Sequence, residues 1–181
     1  MKFERRIIVI GAGVVGLSTA IRLLRSGYSV DIIAREFPPD TTSNVAAAFW
    51  FPYRVGPEDR ATVWAKSTYR ELEKLSRAAE TGVRPAAMRQ VFKSKTPDPW
   101  FRDILTGYSK CEPKDIPKGF VDGFEIDTYL IETPKYMNYL LQTCEALGAN
   151  RRQETVQSID LLVGSYDLVI NCTGVWATPT N

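Results

Sequence analysis

The chain has 181 residues, enough for one domain with a hydrophobic core or for part of a larger one. Its apolar fraction of 44%, charged fraction of 24% and net charge of +2 are typical of a globular protein and give no indication of a nucleic-acid partner. No uninterrupted apolar run approaches the length that crosses a membrane, so we expect no membrane partner.

The absence of histidine and the spacing of the cysteines restrict the possible chemistry. Without histidine the chain lacks the commonest general base, a Ser-His-Asp triad and the usual metal ligand. The three cysteines, Cys111, Cys144 and Cys172, do not show zinc spacing, so we expect no metal site. Their odd number and wide separation favour a reducing compartment over a disulfide framework, which predicts an intracellular, cytoplasmic protein.

The beginning of the chain predicts a βαβ unit that binds a dinucleotide. An apolar strand over residues 5–10 and a helix over residues 14–26 flank a glycine turn. The turn consists of Gly11, Ala12, Gly13, Val14, Val15 and Gly16. Gly11 permits the tight turn, Gly13 lets a pyrophosphate approach the backbone, and Gly16 lets the helix lie close to the strand. The helix N-terminus then directs N–H groups and the positive end of its dipole at the phosphates.

The residues after this helix support the motif. Gly27 is placed to end the helix in a left-handed cap, and residues 28–34 predict a second strand. Glu36 follows Gly16 by 20 residues, where a βαβ unit places the carboxylate that accepts from a ribose hydroxyl. This order indicates an adenine dinucleotide without separating FAD from NAD. A secretory signal peptide is the alternative for the same residues, but three glycines interrupt its apolar segment.

A polar, turn-forming stretch follows at residues 37–44. One interpretation is an ordinary βα connection in which Thr41 or Thr42 caps the next helix. The other is a second phosphate contact, in which hydroxyls and backbone amides donate to the pyrophosphate from its far side.

Two amphipathic helices are predicted farther along the chain. The first covers residues 58–80, and its predicted buried face consists of Trp64, Thr68, Leu72, Leu75 and Ala79. Trp64 is interpreted as a packing residue rather than a platform for a ligand. The second helix begins with Thr133 as N-cap and Pro134 at its first position, and it ends at Gly148. Its predicted buried stripe consists of Tyr136, Leu140, Cys144 and Leu147, with Cys144 as a small core residue.

Strands are predicted over residues 88–93, 120–131, 151–155 and 166–171. Between the first two, prolines and glycines predict a loop with a short helix over residues 99–105. The last strand ends in Cys172, Thr173 and Gly174, where the backbone of a parallel strand can approach a dinucleotide. An ordinary strand that ends at a glycine turn is the alternative for these three residues.

Three segments together resemble the D-amino-acid oxidase family of FAD flavoproteins, which includes D-aspartate oxidase and, more distantly, glycine oxidase. They are residues 11–20, 40–47 and 171–177. The resemblance covers the chain nearly end to end but only about the N-terminal half of a family member. It implies an α/β fold, with a Rossmann-like FAD-binding parallel sheet and part of an antiparallel α+β substrate domain.

The domain organisation implied by the resemblance has three parts. Residues 1–85 form the FAD-binding βαβ unit, the pyrophosphate loop and the following helix. Residues 86–132 are substrate-domain strands, and residues 133–181 return to the FAD-binding domain. We expect a homo-oligomer (a dimer) or an assembly completed by the C-terminal half of a family member.

The activity implied by the resemblance is oxidative deamination of a D-amino acid, a small-molecule substrate. The Cα hydrogen leaves as hydride to the flavin N5, the imine hydrolyses to a 2-oxo acid and ammonia, and dioxygen reoxidises the flavin to hydrogen peroxide. A eukaryotic member would be peroxisomal. D-Aspartate or glycine oxidase, an NAD-dependent dehydrogenase and a truncated, non-enzymatic dinucleotide-binding module are the alternatives.

Beyond the glycine turn, the FAD-binding positions are Arg35, Glu36, Thr41, Thr42, Ser43, Ala47, Ala48, Phe49, Val156, Cys172, Thr173 and Gly174. The resemblance places Arg35 and Glu36 at the adenosine ribose, residues 41–43 at the pyrophosphate and residues 47–49 along the isoalloxazine. It places Val156 at the adenine. The substrate-pocket positions are Phe51 and Tyr53.

Two departures from the family pattern matter for activity. Ala48 stands where the family more often has glycine, and its methyl group narrows the approach to the flavin. The family's carboxylate-clamping arginine, active-site tyrosine and glycine-rich FAD segment with histidine belong to its C-terminal half and have no counterpart here. We therefore expect no catalytic residue in this chain and no oxidase turnover by the chain alone.

Overall fold

The computed structural model describes residues 5–46 and 48–174. Contacts between Cα atoms divide the chain into two units, one formed by Met1–Ala47 with Thr133–Asn181 and the other by Ala48–Glu132. None of the helices in the described part is long and apolar enough to cross a membrane.

The first unit contains a four-stranded parallel sheet. Its elements are β1 (Arg6–Ile10), α1 (Val14–Arg25), β2 (Ser29–Ala34), α3 (Thr133–Ala146), β6 (Asn150–Gln153) and β7 (Leu168–Asn171). The sheet order is β6-β2-β1-β7, and every neighbouring pair is parallel. Because β1 is a central strand, its residues from Ile7 to Ile10 are buried, as expected for a strand covered on both faces. This confirms the predicted Rossmann-like sheet.

Helix α1 packs on this sheet through Leu17, Ala20 and Ile21, which are all buried. It ends as predicted at Gly27, whose φ of +85° is the left-handed conformation that glycine adopts without strain. The N–H of Tyr28 donates to the Leu23 carbonyl (3.2 Å) across this cap and closes the helix.

Helix α3 packs on the same core as α1, but its buried stripe differs from the predicted one. The buried residues are Met137, Leu140, Leu141 and Cys144. Leu147 is 41% exposed because the helix ends at Ala146, before that position. Cys144 is fully buried, and burial raises the pKa of its thiol to about 11. It is therefore a neutral core residue at pH 7, as predicted.

The second unit contains a three-stranded antiparallel sheet. Its elements are α2 (Glu58–Leu75), β3 (Val83–Phe92), β4 (Thr106–Lys110) and β5 (Asp122–Ile131). The sheet order is β3-β5-β4. The central strand β5 lies within the strand predicted over residues 120–131, and its Phe124, Ile126 and Thr128 are buried. Strand β3 begins at Val83, before its predicted start at residue 88, and therefore includes Pro85. An edge strand tolerates a residue without an N–H.

The short helix predicted over residues 99–105 does not form. Residues 100–104 are turns instead, and Phe101 and Leu105 from this segment are buried with Phe124 in an apolar cluster. The chain then enters β4, which the sequence did not predict. Packing of the two apolar side chains against the sheet outweighs the weak local preference for a helix.

Helix α2 is shorter than predicted, and of its predicted buried face only Leu72 is buried. It ends at Leu75, and its buried residues are Ala61, Ala65 and Leu72. Trp64 is 55% exposed, so the prediction that it packs in the core is wrong. Two alanines mark the buried face instead, because small residues let the helix approach its neighbours closely. Beyond the helix, Thr81 Oγ1 donates to the Leu75 carbonyl (2.9 Å) and holds the turn that leads into β3.

The unit boundary also differs from the predicted domain boundary after residue 85. Helix α2 contacts β3, which begins at Val83 and pairs along its whole length with β5. This pairing places residues 48–85 with the antiparallel strands. The first unit resumes at Thr133, and the assignment of the two units to an FAD-binding and a substrate domain stays a prediction.

A Trp64→Ser variant should change the free energy of unfolding by less than about 0.5 kcal/mol, because the side chain is exposed on α2. The matched control is Leu72→Ala in the same helix, where the side chain is only 3% exposed. Urea unfolding followed by circular dichroism measures both. A loss for Trp64→Ser as large as that for the control would contradict this assignment of the faces.

Candidate functional site

A cavity of about 470 Å³ opens at the carboxyl ends of the parallel strands. Ile10 ends β1, Ala34 ends β2, and Cys172 directly follows β7; all three line the cavity. This is the edge of an open parallel sheet where ligands bind, because the loops from several strands converge there.

Most of the predicted cofactor-binding residues line this cavity. They are Gly11, Ala12, Gly13, Val14, Val15, Arg35, Glu36, Thr41, Thr42, Ser43, Val156, Cys172, Thr173 and Gly174. Gly16 lies behind the cavity wall, within α1. Ala48 and Phe49 belong to the second unit, and Ala47 lies outside the described residues. The FAD contacts assigned to all these residues stay predictions.

Four further residues line the cavity that the sequence reasoning missed. They are Ile10, Ala34, Glu154 and Thr155. Each is the last residue of a parallel strand or follows one closely, since β6 ends at Gln153. The rule that placed Cys172 at the site predicts these positions too, once the order of the strands is known.

Gly11 and Gly16 form the junction between β1, α1 and β7. Gly11 has a φ of +107°, and its N–H donates to the Ile33 carbonyl (2.8 Å). A Cβ at Gly11 would clash with the carbonyl oxygen of Cys172, and a Cβ at Gly16 would clash with the carbonyl oxygen of Gly11. Both positions therefore require glycine for close approach of the backbone, and Gly11 requires it also for its conformation.

The N-terminus of α1 faces the cavity through a bare stretch of backbone. Gly13 is its N-cap in extended conformation, and a Cβ there would lie 3.1 Å from Ser43 Oγ. The N–H of Val14 donates to the same Ser43 Oγ (3.0 Å). The first turn of α1 contains no acidic residue, so the positive end of the helix dipole is not compensated within the helix. This is an arrangement that binds anions.

The loop at residues 41–46 contributes Thr41, Thr42 and Ser43 to the wall opposite the glycine turn. It contains a single 3-10 turn over Thr42–Val45. The hydroxyl of Thr41 donates to Asn44 Oδ1 (2.7 Å), and the hydroxyl of Thr133 donates to the Asn44 carbonyl (3.0 Å). The Thr133 side chain is thus bonded to the loop, whereas the sequence predicted it as the cap of its own helix.

A charged pair lies beside the end of β2. Arg35 Nε is 3.4 Å from Glu36 Oε1, and both side chains are about half exposed, at 51% and 46%. The segment after β6 lies alongside, since the N–H of Glu154 donates to the Ala34 carbonyl (2.9 Å). The Glu36 carboxylate is therefore open to a ligand hydroxyl, as a ribose site requires.

Cys172 forms the floor of the cavity with its backbone. Its N–H donates to the Ile10 carbonyl (2.8 Å), which continues the pairing of β1 with β7. Burial raises the pKa of its thiol, so the thiol is neutral at pH 7 and is not an activated nucleophile. The cavity thus offers backbone groups, hydroxyls and the Glu36 and Glu154 carboxylates beside apolar side chains, which suits binding of a phosphate-bearing nucleotide.

The two predicted substrate-pocket residues lie in the second unit. The ring of Phe51 packs 6.1 Å from that of Phe101 and is partly buried in the apolar cluster of this unit. Tyr53 is 59% exposed, and the Arg54 guanidinium lies 5.3 Å from its ring centre. Their roles toward a substrate stay predictions.

The segment that contains Ala48 and Phe49 extends the antiparallel sheet. The N–H of Ile131 donates to the Ala48 carbonyl (2.8 Å), and Phe49 pairs with Leu130. The hydroxyl of Thr128 donates to the Trp50 carbonyl. These bonds to β5 hold the backbone extended.

Comparison with known proteins agrees with this geometry. Residues 6–181 match the model of the FAD dependent oxidoreductase (DAO) family. The chain is 37% identical over 173 residues to a D-amino-acid oxidase of Rubrobacter xylanophilus, covering 95% of this chain and 53% of that protein. It is 33% identical over 181 residues to the D-aspartate oxidase of Homo sapiens, covering 94% of this chain and 53% of that protein.

The fold is similar to that of the L-amino acid deaminase from Proteus myxofaciens, with a TM-score of 0.67 and 17% identity. That match covers 98% of this chain and 47% of the deaminase. The chain spans about half the length of the curated relatives it matches. Since the family model matches almost every residue, the chain belongs to the FAD dependent oxidoreductase family.

Proposed function

We propose that this chain is the FAD-binding portion of an oxidase that acts on D-amino acids. The observation that carries the proposal is the single cavity that brings together the glycine turn, the hydroxyl-rich loop and Glu36. The family of the chain supports FAD as the dinucleotide, and relatives named for D-amino acids support the class of substrate.

The residues of the cavity fit an FAD. The bare backbone at Gly13 and the dipole of α1 suit the pyrophosphate, with hydroxyls of the opposite loop as further donors. The Glu36 carboxylate suits a ribose hydroxyl, and Val156 suits the adenine. When bound, FAD supplies the acceptor for the hydride that leaves the substrate Cα.

The chain's own contribution to the reaction is binding and orientation. The carboxylates that line the cavity and the neutral Cys172 thiol all belong to the elements that we assign to nucleotide binding. We include a D-amino acid, as a small-molecule substrate, and dioxygen as the substrates of the whole enzyme. D-Aspartate is a specific candidate, because one relative at 33% identity is a D-aspartate oxidase.

Titration of FAD into the purified 181-residue chain should give a saturable change in flavin fluorescence. We expect NAD⁺ to compete at least about tenfold less well, which corresponds to about 1.4 kcal/mol of binding free energy. A Gly13→Leu variant is the control, because its side chain would occupy the place where the pyrophosphate meets the backbone. NAD⁺ that binds as tightly as FAD would indicate a dehydrogenase instead.

A further inference from the structure

The hydroxyl groups of the loop opposite the glycine turn have different hydrogen-bond partners. Thr41 and Asn44 are buried, at 8% and 7% exposure. The hydroxyl of Thr41 donates to Asn44 Oδ1 (2.7 Å), and the Asn44 N–H donates back to the Thr41 carbonyl (2.9 Å). A hydroxyl has one hydrogen to donate, and this one is used within the loop. Thr41 therefore cannot donate to a phosphate while this bond exists.

Thr42 and Ser43 retain a hydrogen to donate. Ser43 Oγ accepts from the Val14 N–H (3.0 Å), and in the described part of the chain its own hydrogen has no acceptor. Thr42 is exposed, and its hydroxyl has no hydrogen-bond partner among the described residues. Both residues line the cavity. Because phosphate oxygens only accept hydrogen bonds, these two hydroxyls are the ones suited to them.

Asn44 connects this loop to helix α3. The Thr133 hydroxyl, at the start of α3, donates to the carbonyls of Asn44 (3.0 Å) and Ala46 (3.2 Å). The Asn44 Nδ2 atom is buried and has no partner among the described residues. An unpaired buried donor lowers stability, so stability alone does not account for an asparagine at this position.

We propose that Asn44 is a positioning residue for the dinucleotide. It fixes the Thr41 hydroxyl and, through Thr133, anchors the loop, so that the hydroxyls of Thr42 and Ser43 donate to the pyrophosphate. The inference rests on the proposed binding of FAD and deepens it. The sequence pattern gave Thr41, Thr42 and Ser43 equal roles, whereas their hydrogen bonds assign one to the scaffold and two to the ligand.

The test compares two variants. One loses the Ser43 hydroxyl, which we assign to the ligand, and the other loses the Thr41 hydroxyl, which we assign to the loop. Ser43→Ala should weaken FAD binding at least about tenfold. It should lower the melting temperature of the FAD-free protein by no more than about 1 °C, because the Val14 N–H that loses Ser43 Oγ is exposed and can donate to water instead. Thr41→Val should lower that melting temperature by about 3 °C or more, because it leaves Asn44 Oδ1 buried without a donor. Its FAD affinity should fall only about threefold, and Thr41→Ser should restore both quantities.

Asn44→Ala tests the positioning role itself. Affinity is measured by flavin fluorescence at a temperature where circular dichroism shows each variant folded. We expect about fivefold weaker FAD binding although Asn44 does not line the cavity. A purely structural role would lower the melting temperature and leave the affinity of the folded protein unchanged, and this result would overturn the inference.

The remaining outcomes separate the inference from the function on which it rests. If wild type binds FAD, and Thr41→Val weakens binding as much as Ser43→Ala without a change in melting temperature, the division of hydroxyls is wrong while the proposed function stands. If wild type binds no FAD, both are wrong. Should Asn44→Ala fail to fold, the Thr41→Val and Thr41→Ser pair decides the question.

Discussion

A Gly11→Ala variant should lose measurable FAD binding and about 3 kcal/mol or more of folding free energy. The added methyl group has to occupy the position of the Cys172 carbonyl oxygen, and the φ of +107° is unfavourable for any residue with a Cβ. Relief of the clash moves β7 away from β1 or rotates the turn. Either movement deforms the cavity, because the glycine turn and Cys172 both line it. Thermal unfolding and titration with FAD measure the two losses.

Gly27→Ala is the matched control for this substitution. Gly27 also has a positive φ, at +85°, but a Cβ there has nothing within 4 Å. The variant should cost about 1 kcal/mol, from backbone strain alone, and leave the affinity for FAD unchanged. Equal losses in the two variants would show that conformation, rather than close approach of the backbone, determines the need for glycine at position 11.

The nucleotide-binding side of the site was largely predictable from the sequence. The glycine turn, Glu36 and Cys172 are local signals, since each follows a strand whose apolar run is visible in the sequence. Glu154 and Thr155 were not predicted as site residues, because they line the cavity only as a result of the pairing of β6 with β2. That pairing joins residues more than 100 positions apart, so no local pattern encodes it.

The antiparallel unit was less predictable. Strand β4, Thr106–Lys110, is mostly exposed and has no apolar alternation, so its conformation depends on pairing with β5. The buried face of α2 was predicted correctly only at Leu72, because the large Trp64 gave a stronger signal than the small alanines that pack. The hydrogen bond from the Thr41 hydroxyl to Asn44 was also not predictable, because the sequence does not show which acceptor a hydroxyl bonds to.

A polar cluster centred on Asp31 joins the strands of the parallel sheet. Asp31 lies in β2, and its carboxylate accepts from Tyr166 Oη (2.6 Å), Asn150 Nδ2 (3.1 Å) and the Arg6 guanidinium (3.4 Å). The Asp31 side chain is only 15% exposed, and Arg6 also lies 5.0 Å from the ring centre of Tyr166. The four residues come from β1, β2, β6 and the segment before β7, so the cluster connects three strands of the sheet with that segment.

The protonation state of Asp31 makes the stability that this cluster gives the fold depend on pH. Burial raises the pKa of the carboxyl, but the hydrogen bonds from Tyr166 and Asn150 and the charge of Arg6 together outweigh burial, so the pKa lies below the ordinary value of 3.8. A carboxyl whose pKa is lower in the folded chain than in the unfolded chain stabilises the fold above its unfolded pKa. That stabilisation is lost as the pH falls through the folded pKa.

An Asp31→Asn variant should therefore lose about 2 kcal/mol of unfolding free energy at pH 7, because its amide NH2 has to face either the Asn150 donor at the Oδ1 position or the Tyr166 and Arg6 donors at the Oδ2 position. The difference from wild type should stay constant down to about pH 4 and shrink below it, as Asp31 of wild type becomes protonated. Urea unfolding at pH 7, 5 and 3 measures the difference. The matched control is Asp40→Asn at an exposed position of the same unit, which should change stability by less than about 0.5 kcal/mol. A gap between wild type and Asp31→Asn that persists unchanged at pH 3 would mean that the cluster does not depend on the charge of Asp31.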